Sequence, residues 1–200
     1  FEIIAYCSEQ DSQKYQEIAG IDKRNLVFAP NGTFLKQSSI NHTNRTSNKC
    51  LFIASHWPKN VEGLKRLIDV NPKFFEKFEV NCVGSINLSF TNSSQKNLIF
   101  HGNLDDEDII QQAHRYSFAI NPCIDGGGSN LKNADYIALG LPILSTKFGK
   151  RGFENFTEFF LEKELDFWHQ CEFDSFERPL EKIELVSWSS CLKRLNSLIS

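Results

Sequence analysis

The sequence predicts an α/β protein in which a parallel sheet carries helices on both faces. From Lys49 onward, short apolar runs alternate with segments whose apolar residues recur at helical spacing, and this alternation is typical of parallel sheets. Three consecutive glycines, Gly126–Gly128, follow one of the apolar runs, and backbone without Cβ atoms can approach a ligand closely. The 200 residues suffice for one domain with a proper core and a fragment of another.

The first 35 residues contain a smaller pattern of the same kind. Ile3–Cys7 and Leu26–Ala29 are predicted strands, and Asp11–Ala19 is a predicted polar helix between them. Residues 36–49 are polar and include a single isoleucine, so we interpret them as a linker or long loop. The chain is therefore divided into residues 1–35, a polar linker at 36–49 and a main domain at 50–200.

The main domain contains five predicted strands, each followed by a turn or helix. The strands are Cys50–Ser55, Phe78–Val83, Asn97–His101, Ser117–Asn121 and Pro142–Ser145. The predicted helices are Asn60–Asp69, Asp105–Tyr116 with Asp105 or Asp106 as cap, a segment from the glycines to Leu139, and a stripe from Trp188 to Ile199. No element is assigned to residues 155–183. The alternation indicates a Rossmann-like sheet, whose ligands bind at the carboxyl ends of its strands.

The segment after the fourth of these strands has the residues of a phosphate site. Amide groups of Gly126–Ser129 at the start of a helix are suited to an anion, and Lys132 and Asp135 fall on roughly the same helix face as Ser129. The opposite stripe, of Leu131, Ala134 and Ala138, is expected to pack on the sheet. A nucleoside diphosphate would suit this arrangement, with the amides and Lys132 on the phosphates and Asp135 on the ribose hydroxyls. A plain strand-to-helix turn is the alternative.

Composition and missing motifs exclude several classes. The formal charge is −3 and there is no long basic run, which argues against a nucleic-acid partner. No apolar run approaches the roughly 20 residues that span a bilayer. The six cysteines are dispersed without a C-x-x-C pair, which favours free thiols and a cytoplasmic location. The sequence lacks a Walker-type phosphate loop, a dinucleotide fingerprint at the first strand–helix turn, and a His/Cys cluster spaced for zinc, so we expect no metal.

A longer pattern surrounds the glycines. It consists of Asn121-Pro122, the glycine triplet, Asn130-Leu131-Lys132, Asp135-Tyr136, Gly140-Leu141-Pro142, Ser145-Thr146, Phe148-Gly149 and Arg151-Gly152. In order and spacing this stretch resembles the nucleotide-sugar site of family 4 glycosyltransferases, which have the GT-B architecture of two Rossmann-like domains facing across a cleft. The resemblance implies that residues 50–200 are the C-terminal donor-binding domain. Residues 1–35 would be the tail of the N-terminal acceptor-side domain, since Ser8-Glu9-Gln10-Asp11 and Pro30-Asn31-Gly32 match landmarks of the family.

The resemblance also implies roles for the matched residues. Lys132 would contact the diphosphate, and Asp135 stands where the family has a ribose-binding glutamate. Ser55 and Lys59 lie in a segment similar to the family's G-S-x-x-x-x-N-V, from which Lys59 would reach the leaving phosphate. The donor-binding set is Gly126, Gly127, Gly128, Ser129, Asn130, Asp135, Ser55 and, at the nucleobase, Gly102, Asn103 and Leu104, with Lys132 and Lys59 as catalytic candidates.

Two features of the matched region need separate interpretation. Gly127 stands where many members have an acid that helps to hold the donor sugar, although a glycine-rich variant of this loop is a familiar subtype. Lys147, Lys150 and Arg151 form a small basic loop beside the expected cleft, which we interpret as surface charge; a part in holding phosphate or acceptor is the alternative.

The implied reaction moves a sugar from a nucleoside-diphosphate sugar to an acceptor hydroxyl, with retention of configuration and without a cofactor or metal. The acceptor would be a glycan or a lipid-linked glycan. The resemblance leaves open a peripheral association with the inner face of the membrane through the missing N-terminal domain. These 200 residues alone should have little transferase activity. The alternatives are a GT-B-fold nucleotide-sugar epimerase and a non-catalytic nucleotide-binding or scaffold domain derived from a glycosyltransferase.

Overall fold

The computed structural model describes residues 3–35, 48–91, 93–173 and 179–199. Two parallel sheets organise these residues, a two-stranded sheet near the N-terminus and a six-stranded sheet in the main domain. The predicted linker falls almost entirely within residues 36–47 and lies outside the described residues. None of the helices in the described ranges combines the length and hydrophobicity that crossing a membrane requires.

Residues 3–29 form a small unit of two strands and one helix. β1 (Ile4–Tyr6) pairs in parallel with β2 (Leu26–Phe28), and α1 (Glu9–Ala19) connects them. The side chain of Ser8 caps α1 by accepting a backbone amide hydrogen bond, and the helix ends at Gly20. The predicted elements of this unit are confirmed, and the helix begins two residues earlier than predicted.

The main sheet confirms the predicted α/β fold. Its strands are β3 (Lys49–Ile53), β4 (Glu79–Val83), β5 (Leu98–Gly102), β6 (Phe118–Asn121), β7 (Ile143–Ser145) and β8 (Phe160–Glu162). They lie in the order β5-β4-β3-β6-β7-β8, and every pairing is parallel. The sixth strand, β8, falls in the segment to which the sequence assigned no element, because three residues are too few to show a period of two. The strand order changes direction between β3 and β6.

Helices cover both faces of this sheet. They are α2 (Pro58–Val70), α3 (Pro72–Lys77), α4 (Asp106–Gln112) and α5 (Lys132–Ala138), and a further helix, α6 (Trp188–Ile199), contacts β2. On β3, Leu51 packs in one core cluster with residues of α4 and α5, whereas Cys50 and Phe52 pack in a second cluster with residues of α2 and α3. The alternation along one strand shows that the sheet is buried on both faces, as parallel sheets usually are.

The end of α4 and the presence of α3 depart from the predictions. Asp105 caps α4 by accepting a hydrogen bond from the amide of Asp108, but the helix ends at Gln112 and a 3₁₀ turn replaces its predicted last turn. α3 was not predicted, because six residues give too short a pattern for helical periodicity. It begins after Asn71, whose side chain caps it.

The segment after β2 lies against the main domain. Thr33 forms a parallel bridge with Ser187, just before α6, and Leu35 is buried in the same core cluster as Leu51. The amide of Thr33 donates to the carbonyl of Val186 at 2.8 Å. These contacts fix the end of residues 1–35 beside α5 and α6.

Gly63 allows α2 to approach the backbone that leaves β6. A Cβ atom at this position would lie 2.6 Å from the carbonyl oxygen of Pro122. In an exposed helix, replacing glycine by alanine normally stabilises by about 1 kcal/mol. We expect Gly63→Ala to lower the free energy of unfolding by about 1–3 kcal/mol instead, because overpacking forces the backbone apart.

Urea denaturation followed by circular dichroism measures this change. Lys65→Ala, at an exposed position of the same helix, is the matched control and should change the free energy of unfolding by less than about 0.5 kcal/mol. A Gly63→Ala protein as stable as the wild type would contradict the close approach of α2.

Candidate functional site

A cavity of about 430 Å³ opens where the strand order changes direction. Its walls come from the end of β3 and the segment after it, the loop after β6, α5, and Arg151 in the turn after β7. In open parallel sheets this crevice, at the carboxyl ends of the strands, is where ligands bind. The predicted site residues that line it are Ser55, Lys59, Gly126, Gly127, Ser129, Asn130, Lys132 and Asp135.

The remaining predicted residues lie elsewhere along the same edge of the sheet. Gly128 belongs to the same loop as Gly127 but is not a lining residue. Gly102 ends β5, and Asn103 and Leu104 follow it. β5 is separated from β3 by β4, and none of the three residues lines the cavity. The structure therefore brings the phosphate and ribose candidates together and leaves the nucleobase candidates apart from them.

The glycine loop, defined as Asp125–Leu131, connects β6 to α5. Gly126 and Gly128 have φ angles of +135° and +68°, which residues with side chains rarely adopt. The amide of Gly126 donates to Oδ1 of Asp125 at 2.6 Å. Within the described ranges, the amides of Gly127 and Ser129 donate to no acceptor, although both residues line the cavity. The loop thus keeps two backbone donors for a ligand.

The start of α5 differs from the prediction. The helix begins at Lys132, so Ser129 precedes it and does not share a helix face with Lys132 and Asp135. The amide of Asn130 donates to the carbonyl of Arg151 at 3.2 Å, which holds the loop in a tertiary contact and delays the helix. Leu131 is 53% exposed at the cavity rather than packed on the sheet, whereas Ala134 and Ala138 are buried as predicted.

Lys132 is a partly buried cation with a neutral partner. Its Nζ donates to Oδ1 of Asn60 at 2.6 Å and lies 5.7 Å from the centre of the Phe52 ring. Burial lowers the pKa of Lys132. Lys132 makes no ion pair with any residue that the structure describes. An ammonium group has three donors, so Nζ retains capacity for an anionic ligand.

Asp135 lies one helical turn after Lys132 and is also largely withdrawn from solvent. Its Oδ1 accepts a hydrogen bond of 2.6 Å from the hydroxyl of Thr33. Burial raises the pKa of Asp135 from its ordinary 3.8 to about 6, while the Thr33 bond and the Lys132 charge act in the opposite direction. The carboxylate is ionised at neutral pH, and its second oxygen can accept from a ligand hydroxyl.

Lys59 carries an ion pair at the mouth of the cavity. Its Nζ lies 2.5 Å from Oδ2 of Asp125 and 3.1 Å from Oε2 of Glu62. The hydrogen bond to Asp125, followed by that to Glu62, raises the pKa of Lys59. Lys59 therefore lines the cavity as predicted, but two carboxylates already engage its charge.

Beneath the glycine loop, asparagines and an arginine make contacts that the sequence did not predict, although Asn130 was a predicted donor-binding residue. The side-chain amides of Asn121, Asn130 and Asn133 all donate to the carbonyl of Gly149, at 2.8–2.9 Å. The sequence gives little indication that these asparagines act together, because isolated asparagines are frequent in loops of any kind. Together they fix the loop to the turn that follows β7.

The interpretation of Arg151 as surface charge is wrong. Arg151 is only 4% exposed, and its Nε and Nη2 donate to the carbonyls of Gly128 and Gly127. The Phe148 ring lies 4.1 Å from its guanidinium carbon. Its two neighbours in the basic loop do behave as surface charges, since Lys147 is exposed and Lys150 pairs with Glu162 at 3.0 Å.

Comparison with solved structures places the fold among glycosyltransferases. A glycosyltransferase from Rickettsia africae superposes with a TM-score of 0.73 at 16% identity, over 98% of this chain and 62% of that one. Anabaena HepE in complex with UDP and glucose gives 0.69 at 14% identity, over 100% and 63%. The lipopolysaccharide outer core galactosyltransferase WaaB gives 0.67 at 10% identity, over 99% and 61%. No family model and no curated protein sequence matches the chain.

These similarities establish the fold. The neighbours are GT-B glycosyltransferases, and the six-stranded parallel sheet with helices on both faces is shared with them. The present chain spans slightly less than two thirds of their length.

The second and third positions of the glycine triplet should respond differently to a side chain. Gly127 has open space around its missing Cβ and no positive φ, so Gly127→Ala should leave stability unchanged or slightly raised. Gly128→Ala should cost about 1–2 kcal/mol, because its φ of +68° disfavours any Cβ. Chemical denaturation of both variants measures the difference, and an equal loss in the two would contradict this loop conformation.

Asp135 should make stability depend on pH. Since its pKa is higher in the folded than in the unfolded protein, the folded state favours the proton, and ionisation costs stability as pH rises from about 4 to 6. The rise from 3.8 to about 6 corresponds to roughly 3 kcal/mol. The unfolding free energy of the wild type, relative to that of Asp135→Asn, should fall by up to that amount between pH 4 and pH 7. If the unfolding free energies of the two proteins changed with pH in the same way, a buried Asp135 that titrates in this range would be ruled out.

Proposed function

We propose that this chain is the donor-binding portion of a glycosyltransferase that moves a sugar from a nucleoside-diphosphate sugar to an acceptor hydroxyl. The observation that carries the proposal is the grouping at the cavity between β3 and β6. There Lys132, two loop amides without partners among the described residues, and the Asp135 carboxylate lie on neighbouring parts of one strand–loop–helix segment. This set matches the successive chemistry of phosphate and ribose.

Each group has a part in binding. The amides of Gly127 and Ser129 and the ammonium of Lys132 donate to oxygens of the diphosphate. The free carboxylate oxygen of Asp135 accepts from the ribose hydroxyls, while Thr33 holds the other oxygen. Asn60 orients Lys132, because its Oδ1 accepts from Nζ and its Nδ2 donates to the carbonyl of Ser55 at 3.1 Å.

The same groups account for rate acceleration. Negative charge accumulates on the departing diphosphate in the transition state, so donors already aimed at that position stabilise it without reorganisation. Losing one such donor typically costs about 3–4 kcal/mol of barrier. Lys132 is the principal candidate, and Lys59 can join it once a phosphate displaces Asp125. The proposed reaction retains configuration at the anomeric carbon and uses no metal.

The acceptor side of the proposal depends on chain outside these residues. The acceptor would be a glycan or a lipid-linked glycan, bound mainly by an N-terminal domain, so the 200 residues alone should transfer little sugar. The structure of HepE holds UDP and glucose, and a structure of the glycosyltransferase TarM holds UDP and an oligosaccharide, which supports this substrate class. We further propose a cytoplasmic location, with peripheral contact at the inner face of the membrane.

Ligand binding tests the donor role directly. Titration calorimetry with UDP, GDP and dTDP should show binding with a preference for one base. Lys132→Met should weaken binding of the preferred diphosphate about 10- to 100-fold, because a charge-assisted hydrogen bond contributes about 1.5–3 kcal/mol. Lys147→Met, which removes an exposed cation outside the cavity, is the matched control and should bind as the wild type does.

Two results would contradict the proposal. Absence of binding to all three diphosphates would favour a scaffold domain with a glycosyltransferase fold. Equal losses in Lys132→Met and Lys147→Met would show that net charge, rather than the cavity, governs the affinity.

A further inference from the structure

Arg151 makes an unusual set of contacts for a buried cation. The Nε–Nη2 edge of its guanidinium donates to two successive carbonyls of the glycine loop, those of Gly128 and Gly127. Its own carbonyl accepts from the amide of Asn130. Phe148 lies against the guanidinium. Arg151 therefore contacts three peptide groups of the loop and fixes their orientation.

This orientation determines where the loop amides point. A trans peptide group is planar, and its N–H and C=O point in opposite directions. Because the carbonyls of Gly127 and Gly128 face Arg151, the amides of Gly128 and Ser129 face away from it. The Ser129 amide is one of the two that donate to no acceptor within the described ranges. Arg151 thus acts as a positioning residue for a backbone donor of the cavity wall.

The third nitrogen of the same guanidinium lacks a partner. Nη1 of Arg151 is buried and makes no hydrogen bond with any described residue. Arg151 also makes no ion pair within the described part of the chain. A buried polar group without a partner costs about 1–3 kcal/mol, and more when it is charged. Arg151 lines the cavity, so an anionic oxygen arriving there is the natural partner for this charge.

The order of groups along the chain indicates which phosphate. Asp135, the proposed ribose ligand, and Lys132 lie on α5, whereas Arg151 donates to Gly127 and Gly128, which precede that helix. We propose that Arg151 belongs to the anion site and acts on the phosphate farther from the nucleoside. It does so by fixing the peptide group that carries the Ser129 amide and by supplying a positive charge that forms no ion pair within the described residues. This inference rests on the proposed function.

The experiment compares three ligands: inorganic pyrophosphate, the preferred nucleoside diphosphate and the corresponding monophosphate. Arg151→Lys keeps the charge but lacks the two-nitrogen edge that grips both carbonyls. It should weaken pyrophosphate and the diphosphate at least tenfold and the monophosphate less than threefold. Lys147→Gln removes a cation from the same turn and should change none of the three affinities.

A measurement on the wild type covers the case in which Arg151→Lys fails to fold. The Arg151 Nε–H resonance, followed by NMR, should shift on addition of pyrophosphate or the diphosphate and remain in place with the monophosphate. A resonance indifferent to both, or equal losses of all three ligands in a folded Arg151→Lys protein, would overturn the inference and leave Arg151 a purely structural residue.

The outcomes separate this inference from the proposed function. Pyrophosphate binding that depends on Arg151, without any nucleotide binding, would support the anion site and refute the donor role. Nucleotide binding with no selective effect of Arg151→Lys on the diphosphate would support the donor role and refute the role of Arg151 at the anion site. A wild type that binds neither pyrophosphate nor nucleotides would refute both.

Discussion

One carbonyl oxygen, that of Gly149, accepts hydrogen bonds from three asparagine side chains. Asn121 ends β6, Asn130 belongs to the glycine loop, and Asn133 lies in α5. A single acceptor therefore ties the strand exit, the loop and the helix to the turn after β7. Such bonds are strong in a buried, low-dielectric environment and costly to leave unmade. Together with the Arg151 side chain, which donates to the carbonyls of Gly127 and Gly128, they hold the loop in a fixed shape.

The loop is held in place without neutralising the charges of the nearby cations. The cluster under the loop is built from neutral amides, and the two least exposed cations nearby, Lys132 and Arg151, are bonded to neutral oxygens. Neither loses its charge to a carboxylate in the described structure. A hydrogen bond to a neutral acceptor orients a cation without cancelling its charge, so both cations are oriented before a ligand arrives.

Sequence reasoning located the fold and most of the cavity because both follow from short-range patterns. The spacing of apolar residues set the strands from β3 to β7, and the glycine triplet marked the loop after β6. The start of α5 and the role of Arg151 were missed for a common reason. Both depend on contacts between Arg151 and residues about 20 positions earlier, and such contacts leave no periodicity. The partners of the two cavity lysines could not be predicted either, because they are distant in sequence. Asp125 lies 66 residues from Lys59, and Asn60 lies 72 residues from Lys132.

Residues 3–35 show that a local pattern does not predict tertiary contacts. The strands and helix of residues 3–29 could be predicted from the sequence, but the contacts of the segment that follows them could not. Thr33 reaches Asp135 across 102 residues of sequence, and that bond is one reason why a carboxylate can be held in a largely buried place. A polar segment with a threonine in it gives no sign of such a partner.

The ion pair between Lys59 and Asp125 has a consequence for behaviour in salt. Both side chains are substantially exposed, so dissolved ions screen their attraction. When a phosphate takes the place of Asp125 at Lys59, an ion pair that salt weakens is replaced by another ion pair that salt weakens. Added salt would weaken the incoming contact and the outgoing contact together, and the two effects would partly cancel. Affinity for an anion at this lysine should consequently vary less with ionic strength than affinity at a solvent-facing lysine that has no competing carboxylate.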